Sequence, residues 1–231
     1  MKKAVLVVLF LALVGAIAAV PTFADVPLVS TLGPGGTFDT TNGDYVDSTG
    51  GADQVVADPF SLSFGAAVSD AQLALGNVSG NNDPVNVYIE SDNAGSPGSI
   101  IASLTQAETI GPYVIGPGGG GLVTFNCSGP ACTLAAGSYW LVAQEPDAGT
   151  EQEWNWSFND VRTNLAINHV GSATGPWITT TGIENGFELD GAPTPEPSSF
   201  LAASNASAIS ALGALRDSSP SRTSLSRKLF A

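Results

Sequence analysis

Basic side chains are nearly missing from the middle of this sequence. Of seven Lys and Arg in 231 residues, six stand near the ends (Lys2, Lys3, Arg216, Arg222, Arg227 and Lys228), which leaves Arg162 alone between Asp25 and Asp190. That stretch carries 19 Asp and Glu against one Arg, a net charge of −18, beside −14 for the whole chain. A surface of this sign repels phosphate, so nucleic-acid binding is excluded and phosphoryl transfer without a bound cation is disfavoured. Charged residues of all kinds make up 12%, about half the usual share of a soluble domain. Imidazole is as scarce: His169 is the one histidine, set in Leu-Ala-Ile-Asn-His-Val, where it reads as a strand residue. There is no Gly-x-Ser-x-Gly elbow, no His-Glu-x-x-His and no phosphate-loop Lys. The expectation is a non-catalytic protein, with a glycosidase-like enzyme ranked third because no carboxylate pair is singled out.

What is present begins with an address. Met1-Lys2-Lys3 is followed by an apolar run from Ala4 to Val20, then Pro21, then Thr22-Phe23-Ala24 with small residues where a signal peptidase cuts. This is the layout of a cleavable secretory signal, residues 1–24, and it predicts export across the inner membrane with only transient membrane association. The competing reading is a retained anchor, for which seventeen residues is near the lower limit.

Residues 25–191 have no long stretch of helical period. Short alternating runs recur between clusters of Gly, Asn, Asp and Ser: Phe60 to Phe64, Ala71 to Leu75, Val85 to Glu90, Ile100 to Leu104, Gly121 to Cys127, Tyr139 to Gln144, Glu153 to Phe158, Leu165 to Val170 and Phe187 to Asp190. In Val85-Asn-Val-Tyr-Ile-Glu90 the alternation puts Val85, Val87 and Ile89 on one face and Tyr88 on the other. Asp92-Asn-Ala-Gly-Ser-Pro-Gly98 reads as a turn, with an acceptor to start it, Gly for positive φ and Pro at the exit. Many short strands with turn signals between them predict an all-β sandwich or jelly roll.

Four groups of residues invite a functional reading. Cys127 and Cys132 frame Ser-Gly-Pro-Ala; in an exported chain they predict a disulfide that pins a hairpin. Asp39, Asn42, Asp44 and Asp47 gather oxygen ligands around Gly43, a candidate calcium site that lacks the spacing of an EF-hand, with solvated charge as the plainer reading. Trp154, Trp156 and Phe158 fall on one strand face, as a core stripe or as a carbohydrate platform built on Trp154 and Trp156. The core is the favoured reading, because the intervening positions are the polar ones. Trp140 and Trp177 are read as core on the same ground.

Ala192-Pro193-Thr194-Pro195-Glu196-Pro197-Ser198-Ser199-Phe200-Leu201 resembles the start of a PEP-CTERM sorting tail, with Pro195, Glu196 and Pro197 as the motif. The resemblance implies a Gram-negative bacterium, recognition by an exosortase-type enzyme, and delivery to the cell surface or extracellular polymer matrix. Ser204, Asn205, Ser207 and Ser210 break the apolar run that the family carries next, and its Arg cluster is diluted to Arg216, Arg222, Arg227 and Lys228. The tail, 192–231, is therefore a degenerate copy, short and either helical or poorly ordered, with a disordered Ser/Pro segment as the competing reading.

Further upstream, Gln54-Val-Val-Ala-Asp-Pro-Phe60, Leu73-Ala-Leu75, Tyr88-Ile-Glu-Ser-Asp92, Gly95-Ser-Pro-Gly98, Tyr139-Trp-Leu-Val142 and Gly186-Phe-Glu-Leu189 resemble the bacterial choice-of-anchor R domains. That group implies an extracellular β-sandwich and brings no catalytic or binding residues. The expectation is an exported acidic surface or matrix protein with a structural or adhesive role. Its partners would be signal peptidase, an exosortase-type enzyme and extracellular polysaccharide. A carbohydrate-binding module is the alternative.

Overall fold

The computed structural model describes residues 24–48, 53–79, 84–113, 119–146 and 149–194. They form thirteen strands: β1 (Val26–Ser30), β2 (Gly43–Asp47), β3 (Val55–Leu62), β4 (Ala66–Asn77), β5 (Asn86–Asp92), β6 (Pro97–Gln106), β7 (Gly121–Asn126), β8 (Thr133–Leu134), β9 (Gly137–Gln144), β10 (Glu151–Asn155), β11 (Arg162–Asn168), β12 (Ile178–Ile183) and β13 (Phe187–Pro193). The strand ladders are antiparallel throughout. One layer runs β1-β13-β4-β7, with β10 and then β2 continuing from the far half of β4. The other runs β6-β5-β9-β3-β11-β12. The layers join where Thr105 and Gln106 of β6 pair with Asn126 and Phe125 of β7, so the sheet curls over on itself as the all-β reading expects.

Period-two alternation explains what lies between the layers. Val85, Val87 and Ile89 pack inward with Val56, Phe60 and Leu62 of β3, Leu141 and Ala143 of β9, Leu73 and Leu75 of β4, and Phe125, Trp154, Phe187 and Leu189. The opposite face of β3 and β9 is buried too. Val55, Ala57, Trp140, Val142 and Ala166 form a second apolar cluster, covered by Ala173 and Trp177 from the segment after β11. A strand buried on both faces loses its polar alternation, which is why β9 reads Trp-Leu-Val-Ala without a break.

The turn between β5 and β6 forms as its sequence predicts. The Asp92 carboxylate accepts the Gly95 N–H at 3.2 Å, and Gly95 takes φ 84°. Cys127 and Cys132 are disulfide-bonded, Cα to Cα 5.9 Å, and both lie in the main core. Their setting corrects the expected hairpin. β7 pairs with Asp70 to Leu75 of β4, the Cys127 N–H donates to Ser69 O at 2.7 Å, and β8 pairs with Ala66 and Ala67. β7 and β8 are thus two parts of one interrupted strand. The disulfide closes the excursion between them, which holds a short 3-10 helix, Pro130–Cys132.

Candidate functional site

One end of the interior is polar. Asp58 occupies the inward position of β3 between Val56 and Phe60, where alternation places an apolar side chain, and it is fully buried. Asn185, just before β13, donates from Nδ2 to Asp58 Oδ2 at 2.8 Å and from its backbone N–H to Oδ1 at 3.4 Å. Thr31 holds this amide in place: its hydroxyl donates to Asn185 O at 2.7 Å and accepts the Phe187 N–H at 2.8 Å. Asp44 approaches from β2. It accepts the Trp156 indole N–H at 3.2 Å and a hydrogen bond from the Asn185 side chain. Trp156 and Asn185 face each other across an isolated antiparallel bridge, which brings the four side chains together.

Among the described residues no cationic group acts on either carboxylate, and burial is the largest influence on both. Desolvation pushes Asp58 up to about 7; the bonds from Asn185 oppose it, and the charges of Asp44 and Glu184 add to it. Asp44 is raised by burial against the bonds from Trp156 and Asn185. Near neutrality the cluster therefore holds a proton that the unfolded chain gives up. Asp58 has no exposed surface, and its proton bears on stability.

A second buried acid lies on the outer face of the same layer as Asp58, on β5. Glu90 stands opposite Trp140 across the β5–β9 ladder, fully buried, and neither carboxylate oxygen has a hydrogen-bond partner among the described residues. Desolvation pushes it up to about 7, and its charge adds to the burial that raises Tyr88. Trp140 Nε1 donates to Asp92 Oδ1 at 2.8 Å, while Trp177 Nε1 is buried without a partner among the described residues.

The residues singled out from the sequence are placed as follows. Asp39 accepts the Thr41 N–H at 2.7 Å and Asn42 Nδ2 at 3.0 Å; burial opposes ionisation there, but these bonds hold the carboxyl below its ordinary value. Asp44 turns inward beside Val46, and the odd spacing to Asp47 sends that residue to the other face of β2. Asp39 and Asn42 meet, but Asp44 and Asp47 leave β2 on opposite faces, so the four do not gather at one point, and no group of three or more His, Cys, Asp or Glu that could hold a metal occurs among the described residues. The carbohydrate platform is corrected as well. Trp154 is fully buried, edge-on to Phe187 and donating to Gly186 O at 3.0 Å, so it offers no ring face to solvent. Trp156 is half-buried with its N–H on Asp44, and only Phe158 of the stripe is well exposed. Trp140 is core, as read, whereas Trp177, read the same way, is partly buried against that cluster. His169 is exposed beyond the end of β11. The leader up to Phe23 and the motif Pro195, Glu196 and Pro197 lie outside the described residues.

Sequence reasoning passed over Asp58, Asn185 and Glu90. Asp58 carried a usable signal, a carboxylate inside the apolar alternation Val56-x-x-x-Phe60-x-Leu62. Asn185 and Glu90 carried none, since each stands among polar neighbours typical of a turn or a strand end. No family model matches the chain, and no curated protein sequence matches it.

Proposed function

We propose that the chain is an exported, acidic, non-catalytic β-sandwich of the bacterial cell surface or extracellular polymer matrix, sorted through its Pro195-Glu196-Pro197 tail by an exosortase-type enzyme. The observation that carries the reading is the Cys127–Cys132 disulfide within the core of a chain that opens with a secretory layout, because such bonds persist in oxidising compartments. The charge supports it. A net charge of −14 keeps the protein soluble outside the cell and keeps it off anionic polymer unless cations bridge the two. The polar cluster supports a structural role: its most perturbed acid is sealed inside the sandwich.

Fractionation of native cells, with the chain detected by antibody, tests the reading. Recovery in the outer-membrane, matrix or culture-supernatant fractions is expected, shifting to the inner membrane when the sorting enzyme is deleted. Recovery in the cytosol would overturn it.

A further inference from the structure

β12 is an end strand of its layer. β11 occupies one of its edges in an unbroken register from Arg162 opposite Ile183 to Ile167 opposite Ile178, and among the described residues no strand pairs with the other edge. An open edge presents unpaired N–H and C=O groups, and natural sheets blunt such edges with charge, proline or a bulge. β1, an end strand of the other layer, has two of these devices: Pro27, and a register shift between Pro27 and Val29. β12 has none. It reads Ile-Thr-Thr-Thr-Gly-Ile, without charge, proline or bulge and rich in a β-favouring residue. Ile178 to Thr181 are exposed, and Ile178 leaves 60% of its surface in water.

We propose that β12 is a self-association edge, through which two copies of this chain pair antiparallel about a two-fold axis at Thr180 and continue one sheet across both molecules.

The register follows from the pleat. Residues opposed across an antiparallel pair point to the same face, and a two-fold axis normal to the sheet preserves faces, so a residue meets only residues an even number of positions away. An axis at Thr180 sets Thr180 against its own copy, Thr179 against Thr181, and Ile178 against Gly182. Ile178, Thr180 and Gly182 share the face of Leu165, which is Thr180's neighbour on β11 and whose side chain overlies Gly182. The exposed Ile178 side chain therefore meets Gly182 of the second copy, which has no side chain to obstruct it, at each end of the pair. An axis at Thr181 would instead set Ile178 against Glu184, a buried-side carboxylate that burial raises.

Charge selects the same edge. The body carries −18 between Asp25 and Asp190, so copies repel in most orientations. β12 is neutral, and Arg162, the single basic residue of that stretch, stands beside it opposite Ile183. Six residues give an edge about 20 Å long, so the contact falls below the roughly 1,200 Å² of a stable interface and the dimer is weak. Added salt screens the repulsion and strengthens it.

Sedimentation velocity of the full chain across a concentration series, at low and physiological salt, tests the proposal. The expected result is a mass rising toward twice the monomer at high concentration, more so with salt. Thr180→Lys sets like charges against each other at the axis and is expected to weaken association about tenfold. Thr179→Lys with Thr181→Glu sets opposite charges face to face and keeps association, whereas Thr179→Glu with Thr181→Glu abolishes it. All three positions are exposed, so the fold is retained, which circular dichroism checks. A chain monomeric at every concentration overturns the proposal, and so does association that these variants leave unchanged.

Discussion

Replacing Asp58 by Asn is expected to change how stability depends on pH. Folded Asp58 keeps its proton to about pH 7, whereas the unfolded carboxyl releases it near 3.8. Between those values the folded state binds the extra proton, so unfolding free energy falls as pH rises through the window and levels off above it. A gap of about three units at about 1.4 kcal/mol each makes the loss on the order of 4 kcal/mol, with the full slope near 1.4 kcal/mol per pH unit. Asn cannot ionise, is nearly the same shape as the protonated acid, and keeps an oxygen for the Asn185 Nδ2 donor. Urea unfolding of wild type and Asp58→Asn at intervals from pH 4 to pH 8 gives both curves. They should lie close together at pH 4 and diverge toward pH 7, with the variant the more stable at pH 8. Asp44, Glu90, Glu151, Glu153, Glu184 and Asp190 are also raised, mainly by burial, so the variant keeps a shallower slope of the same sign. Parallel curves across the whole range would refute the reasoning, because the proton would then not reside on Asp58.

Three further outcomes are expected. Glu90→Leu removes a buried carboxyl whose oxygens have no partner among the described residues; it should raise stability at pH 8 by about 1–3 kcal/mol and by less at pH 5, read by the same unfolding series. Cys127→Ala with Cys132→Ala releases a small loop and should cost about 2 kcal/mol, seen as a lower urea midpoint while the far-ultraviolet spectrum stays β-type. Trp154→Ala empties a site with no exposed surface and should cost about 3–5 kcal/mol in thermal or urea unfolding; an unchanged midpoint would mean that the ring is not core.

Most of the sheet was legible because its strands alternate or are bounded by turn residues. Val85, Val87 and Ile89 declared their face, as did the runs around Leu73, Phe125 and Leu189, whereas β9, buried on both faces, showed only as an apolar run between turn residues. The strands that escaped notice lack that signal for separate reasons. β12 is exposed on both faces and shows only Thr where alternation would appear. β2 reads Gly-Asp-Tyr-Val-Asp, so its acids suggested a ligand loop when one of them, Asp44, faces the interior. β1 contains Pro27 and a bulge, and β8 is two residues long. The polar cluster was hidden for a deeper reason. Its members lie at positions 44, 58, 156 and 185, and only the pairing of β10 with β2, together with the bridge from Trp156 to Asn185, brings them together. The cysteine pair was readable from spacing, but whether it joined a hairpin or an interrupted strand depended on β4, which no local pattern reveals.

Intact mass spectrometry of the native chain, taken from outside the cell with free thiols blocked before any reduction, tests the account most directly. It predicts a mature chain that starts at Asp25 and carries no label on Cys127 or Cys132. A polypeptide that keeps Met1 to Ala24 and takes up two labels would contradict it.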